Sequence, residues 1–212
     1  MFQNRDLRID TKLAVYRAVV LTTLLYGSET WVTYSRNLKD LEEYHQRCLR
    51  KIMNIHWSAY RTNNSILIQS GIPSIECLVA KNKLRWTGHV VRMDGTRLPK
   101  QLLYAELSKG KRKHGGQRKR YKDNLKHYLK RCYVNTNTWE YCAADRSKWR
   151  SKVHQGVEIF EEERMRHREE LRSARKQRLA SSSAESDSFI CNYCQKRCKS
   201  RIGLLSHSRT HC

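Results

Sequence analysis

The last 24 residues constrain their own fold more tightly than any other part of the chain. Two residues separate Cys191 from Cys194, twelve separate Cys194 from His207, and three separate His207 from His211. A tight turn carrying two cysteines presents both thiolates from a short hairpin. Histidines four positions apart lie on one face of a helix, so both imidazoles reach the same point. Four N or S donors in that arrangement suit Zn2+, which takes a tetrahedral set of such ligands. The spacing therefore predicts a ββα zinc finger over residues 189–212. Phe189 and Leu204 fall at its apolar core positions. The third core position, four after Cys194 and usually aromatic, is Cys198, which predicts a thin core. Cys212 directly follows His211 and is an alternative fourth ligand, and Cys198 is a competitor at the other end. So short a segment has almost no apolar core, so the metal is expected to supply most of its folding free energy, on the order of 10 kcal/mol or more.

The rest of the chain is long enough for one modest core with appendages. The 212 residues carry a net charge of +23, which favours a polyanionic partner, nucleic acid ahead of a membrane surface. No apolar run approaches the roughly 18 residues of a spanning helix. Met1–Asp10 is polar and is not a signal peptide, so a nuclear or cytoplasmic location is expected rather than secretion. Cys48, Cys77, Cys132 and Cys142 are widely spaced and read as reduced, mostly buried thiols. With only two prolines and nine glycines, a mainly α fold is expected.

Hydrophobic periodicity divides the chain further. Lys12–Leu25 reads as a helix with Leu13, Tyr16, Val20 and Leu24 on one face, broken by Tyr26, Gly27 and Ser28. Leu38–Ile55 reads as a second, with Leu38, Leu41, His45, Cys48, Leu49 and Ile52 recurring at three and four. A short helix from Asn63 stops at Gly71. Ser74 is the expected N-cap of the strongest helix, with Glu76 in its first turn and a stripe of Ile75, Leu78, Val79, Asn82, Trp86, Val90 and Met93. These four elements are expected to pack as a small helical bundle. Trp149, Val153, Val157 and Phe160 carry a helical pattern into 161–179, where Glu and Arg blocks alternate with few apolar positions. That tract predicts a long charged helix held by i,i+4 pairs, or a spacer, rather than a coiled coil.

Residues 109–131 hold eleven Lys or Arg and one acid, Asp123. Gly110, Gly115 and Gly116 make the first half flexible. The second half is helical, with Tyr121, Leu125, Tyr128, Leu129 and Cys132 on one side. A solvated charged face usually mixes signs, and this one does not. Lys109, Lys111, Arg112, Lys113, Arg118, Lys119, Arg120, Lys122, Lys126, Lys130 and Arg131 are therefore the candidate nucleic-acid contacts, mostly to RNA or DNA backbone. The organisation that follows is a helical region 1–135 with the basic segment inside it, a charged helical extension 136–180, a Ser-rich linker 181–188 and the finger 189–212.

Catalytic groups do not assemble in this sequence. There is no Asp-Asp pair, and the glycines of 110–117 are not followed by the Lys-Ser or Lys-Thr of a phosphate loop. His89, His114 and His127 sit near basic residues, which disfavours their charged form. They read as surface or structural groups rather than general bases. No small-molecule substrate is implied.

Several segments, in order, resemble the part of non-LTR (LINE-type) retrotransposon reverse transcriptases that lies beyond the palm. They are Leu25-Tyr26-Gly27-Ser28-Glu29-Thr30-Trp31, Leu84-Arg85-Trp86-Thr87-Gly88-His89-Val90-Val91-Arg92-Met93, and Arg97-Leu98-Pro99-Lys100. Gly115-Gly116-Gln117-Arg118-Lys119-Arg120-Tyr121-Lys122-Asp123, Asp145-Arg146-Ser147-Lys148-Trp149-Arg150 and Cys198–His207 continue the series. Each is short, but their order makes the likeness specific, and it runs from about residue 10 to the end. The resemblance implies a thumb-like helical region and a terminal finger. The family's catalytic aspartates lie in the palm and its endonuclease further upstream, so it also implies a piece without polymerase or nuclease activity.

The leading expectation is a zinc-containing, non-catalytic nucleic-acid-binding fragment of such a polyprotein. The alternatives are a zinc-finger DNA-binding regulator and a protein-interaction finger. Counting back from His207 puts the base-reading positions at Ser200, Gly203 and Ser206, none able to make a bidentate base contact. A lone finger also spans only about three base pairs. Ile202 and Leu205 give the helix an apolar face for a possible protein partner.

Overall fold

The computed structural model describes residue 4 and residues 6–105, 114–115, 119–184, 189–198 and 200–211. It is mainly helical, with one small two-stranded sheet near the C-terminus. The chain divides into two compact units, Met1–Glu163 and Arg164–Cys212.

In the first unit the opening helix is interrupted. α1 (Ile9–Val15) leads into a π-helical stretch, Tyr16–Val20, and then α2 (Leu21–Leu24). The wide turn rephases the apolar stripe. Leu13, Tyr16, Leu21 and Leu25 are buried, whereas Val20 and Leu24, expected on that face, are only half-buried. Buried Tyr16 meets His45 of α3 (Ser35–Ile52), its hydroxyl 2.8 Å from Nδ1 and the rings stacked. α3 starts three residues earlier than its periodicity suggests and ends at Ile52, with Asn54 in the left-handed region at φ 52°.

α4 (Asn63–Ser70) is capped at both ends, and its stop at Gly71 is the one its sequence predicts. Thr62 Oγ1 accepts from the Ser65 N–H, and Gly71 takes the left-handed conformation that ends the helix. α5 (Ile75–Arg92) is the centre of this unit and packs against α3 and three further helices. Those already named or following are α3, α6 (Leu98–Tyr104), α7 (Tyr121–Arg131) and α8 (Trp139–Ala144). The short helices α6 and α8 have too few apolar periods to be visible in the sequence. The stripe assigned to α5 needs correction. Ile75, Val79 and Val90 are buried as expected, but Leu78, Asn82, Trp86 and Met93 are only partly so. The deeper positions are Cys77, Ala80, Lys83, Leu84, Thr87 and Gly88, because helices cover α5 on more than one side.

Side-chain hydrogen bonds fix how α5 sits. Ser74 Oγ accepts from the Cys77 N–H as its N-cap. Two buried carboxylates complete that terminus: Glu42 accepts from the Ile75 N–H, and Glu161 accepts from Ser74 N–H and Oγ and from the Cys77 thiol. Both negative charges stand at the positive end of the helix dipole. Further along, Lys83 is fully buried. Its ammonium donates to the backbone carbonyls of Glu29 and Trp31 and lies 4.4 Å from the centre of the Tyr121 ring. Burial lowers its pKa to about 8, with Glu29 acting in the opposite sense. Cys48, Cys77, Cys132 and Cys142 are free thiols, Cys77 and Cys132 buried and the other two partly so.

α9 (Arg146–Ala184) begins in the first unit, where Asp145 accepts from the N–H groups of Ser147 and Lys148. Trp149, Val153, Val157 and Phe160 are buried there, as their spacing predicts. The helix continues through Ser181–Ala184, positions whose composition suggested a linker, with Ser181 Oγ bonded back to the Arg178 carbonyl. Residues 185–188 of that linker lie outside the described residues. The charged tract is helical, with a Glu169–Arg172 ion pair at i,i+3 and His167 Nδ1 3.8 Å from the Glu170 carboxylate.

In the second unit β1 (Phe189–Ile190) pairs antiparallel with β2 (Arg197–Cys198), Phe189 opposite Cys198 and Ile190 opposite Arg197. α10 (Arg201–Ser208) follows, with Ser200 Oγ capping the Gly203 N–H, and the turn Arg209–His211 extends it. No described helix of either unit is long and apolar enough to cross a membrane.

Candidate metal centre and basic face

The hairpin and α10 bring the four predicted ligands together. Cys191 and Cys194 come from the turn between β1 and β2, and His207 and His211 from α10 and the turn after it. One donor atom from each lies within 4.8 Å of the other three. Cys194 Sγ is 3.0 Å from His207 Nε2, and the two histidine Nε2 atoms are 3.2 Å apart. These four residues could hold a metal ion. Cys212, the alternative fourth ligand, lies outside the described residues.

The local structure explains the convergence. The Gln195 N–H donates to the Cys191 carbonyl and the Cys191 N–H to the Lys196 carbonyl, closing the cysteine turn. Gln195 takes φ 56° to do so. The N–H groups of Cys194 and Tyr193 and the Cys194 side chain lower the Cys191 thiol pKa, the Cys194 N–H most. Desolvation, then His211 and Lys196, lowers that of His207. Both shifts favour the forms that ligate metals, thiolate and neutral imidazole. Tyr193 stacks on the His211 ring at 5.6 Å, a support that no spacing rule in the sequence identified. The core is thin. Phe189, Cys198 and Leu204 are only partly buried, and no residue of α10 is fully buried.

The basic candidates divide. Lys109, Lys111, Arg112, Lys113 and Arg118 lie outside the described residues. Lys119 and Arg120 are exposed just before α7, and Lys126, Lys130 and Arg131 are exposed along it. Lys122 is half-buried. The opposite side of α7 is buried through Asn124, Leu125, Tyr128 and Leu129. Thr33 holds that side: its hydroxyl accepts from Asn124 Nδ2 at 2.9 Å and lies 3.0 Å from the Tyr128 hydroxyl. Two of the cations also pack on rings, Lys119 over Tyr34 at 5.4 Å and Arg131 over Phe160 at 4.6 Å. Arg131 is therefore a packing residue as well as a surface charge. Burial, reinforced by Arg131, lowers the His127 pKa, so it is neutral on this face.

The first unit also contains a cavity of about 690 Å³ beside α5 and the start of α9. Its lining was not among the sequence candidates, because arginines spread over two distant segments form no charge run. No protein-family model, no curated protein and no solved structure matches this chain.

Proposed function

We propose that the chain is a zinc-containing nucleic-acid-binding protein without catalytic activity, equivalent to the post-palm region and terminal finger of a non-LTR retrotransposon reverse transcriptase. The observation that carries the metal part is the convergence of Cys191, Cys194, His207 and His211 within 4.8 Å. Around tetrahedral Zn2+, with Zn–S about 2.3 Å and Zn–N about 2.0–2.1 Å, neighbouring ligand atoms stand roughly 3.3–3.8 Å apart. The separations of 3.0 and 3.2 Å need only a small expansion to admit it. The second strand ends at Cys198, and His207 of α10 and His211 of the turn that extends it bring their Nε2 atoms within 3.2 Å, which supports a ββα finger.

Nucleic-acid binding is supported by the net charge of +23 and by the one-sided display of Lys126, Lys130 and Arg131 on α7. In this reading the basic face grips phosphates, and the finger adds a second contact with little base selectivity. Ser200 already serves as a helix cap and Gly203 has no side chain, leaving Ser206 alone at the base-reading positions. The ordered motifs described above support the retrotransposon assignment and a nuclear or cytoplasmic location.

Binding of the full chain to RNA and DNA over a salt series tests the reading. With about five to eight phosphate contacts, log affinity falls against log salt with a slope of roughly −4 to −7. Charge reversal of Lys119, Arg120, Lys126 and Lys130 removes most of the affinity. Retention of full affinity and slope by that variant overturns the assignment. A second reading, a protein-docking finger, is favoured by the exposure of Ile202 (80%) and Leu205 (56%) on α10. It requires that Ile202→Ala with Leu205→Ala leave nucleic-acid affinity unchanged while abolishing a protein complex.

A further inference from the structure

The cavity beside α5 has an unusual composition. Arg85, Trp86, His89 and Arg92 project from α5, and Arg146 and Arg150 from the first turns of α9. Four guanidinium groups thus face one space, with Glu29 the single acid on its wall. Among the described residues, Arg85, Arg146 and Arg150 have no carboxylate partner. Arg92 is aimed by a hydrogen bond to the Ala143 carbonyl at 2.6 Å. The Trp86 indole is half-exposed, with the His89 ring 5.6 Å away. The floor is rigid, because the Trp149 indole beneath it is buried and bonded to the Leu84 carbonyl.

We infer that this groove binds a short stretch of single-stranded nucleic acid, with an unpaired base stacked on Trp86 and the flanking phosphates on Arg85, Arg146 and Arg150. Uncompensated arginines at a surface cleft favour a polyanion, and Arg suits phosphate oxygens through paired N–H donors. An accessible indole beside them adds a surface that a base can use only when it is unpaired. A cavity of about 690 Å³ admits one or two nucleotides and excludes a duplex. The segments Leu84–Met93 and Asp145–Arg150, more than fifty residues apart, supply every cation of the groove. This inference rests on the nucleic-acid reading above but uses a different surface from the basic face of α7.

The test uses the full chain and a labelled single strand of about eight nucleotides. The matching duplex, inorganic triphosphate and polyglutamate serve as competitors. Trp86→Ala is expected to weaken single-strand binding roughly tenfold or more while changing duplex binding little, and Trp86→Phe to retain most of it. Arg146→Glu with Arg150→Glu, both at exposed positions, lowers the single-strand affinity more than the duplex affinity. If Trp86→Ala fails to fold by circular dichroism, the arginine pair decides the matter alone. An unchanged ratio of single-strand to duplex affinity in these variants overturns the inference. So does displacement by polyglutamate or triphosphate as effective as by the single strand. Charge reversal on α7 is measured in parallel. If it has no effect while the Trp86 and arginine variants do, the α7 assignment fails and the groove stands.

Discussion

Trp149 stands directly over Gly88. A Cβ built on residue 88 would come within 3.0 Å of the indole Cε2 and closer still to Nε1 and Cδ1. The same indole donates from Nε1 to the Leu84 carbonyl at 2.9 Å, one turn earlier on α5. The missing side chain at 88 is thus what lets the start of α9 close on α5, and the groove arginines of both helices depend on that approach.

Gly88→Ala is expected to destabilise the first unit by about 1–3 kcal/mol, since the added methyl must displace a buried ring. Trp149→Phe loses the hydrogen bond but frees space, so the double variant is less destabilised than the sum of the singles. Urea unfolding of the four proteins measures the coupling. Strict additivity would show that Trp149 does not fill the space above Gly88.

Glu161 reaches across from α9 to three donors at the start of α5, Ser74 N–H, Ser74 Oγ and the Cys77 thiol. Removing the carboxylate leaves buried donors without their anionic acceptor. Glu161→Ala is expected to cost about 2–3 kcal/mol. With Ser74→Ala the effects should be non-additive, because the two side chains share one network. Equal stability of wild type and Glu161→Ala in urea would overturn the assignment.

Much of this was legible in the sequence, for reasons that differ by element. The end of α4 and the start of α5 were readable because Gly71 and Ser74 act through local backbone geometry. The cluster of four candidate ligands was readable because its spacing is dictated by helix and hairpin geometry. The π turn at Tyr16–Val20 was not, and its first residue, Tyr16, pairs with His45, 29 positions along the chain. Nor was the true inner face of α5. Lys83 looks like a surface residue in sequence, and only the carbonyls of Glu29 and Trp31 and the ring of Tyr121 make its burial intelligible.

Lys83 should leave a signature in the pH dependence of stability. Its folded pKa, lowered by burial to about 8, lies below the 10.5 of a free lysine. Between those values the unfolded chain binds the proton and the folded chain has released it, so stability rises with pH across that window. The amplitude is on the order of 3 kcal/mol. The raised pKa values of Cys132 and Tyr128, each pushed to about 12 by burial, act in the opposite direction above about pH 9 and 10. Comparison with Lys83→Met isolates the lysine, because those groups are common to both proteins. The difference in stability between wild type and Lys83→Met should change steadily in favour of wild type from pH 8 to 10.5. A pH-independent difference would show that Lys83 titrates normally.

The finger makes the most direct prediction. The full chain should bind about one equivalent of Zn2+, and Co2+ in its place should show the absorption of a tetrahedral site with two thiolates and two imidazoles. Cys194→Ser removes a donor 3.0 Å from His207 Nε2, so it should abolish stoichiometric binding. Loss of metal should unfold the hairpin and α10, since Phe189, Cys198 and Leu204 are only partly buried and cannot hold the finger alone. The urea transition of Met1–Glu163, a separate compact unit with its own core, should be unaffected. The fourth ligand is decided by a pair of variants. His211 Nε2 lies 3.2 Å from that of His207, so His211→Ala should weaken Co2+ binding strongly and alter its spectrum. Cys212→Ser should change neither. The reverse pattern, with three-thiolate charge-transfer absorption in wild type, would assign the fourth position to Cys212.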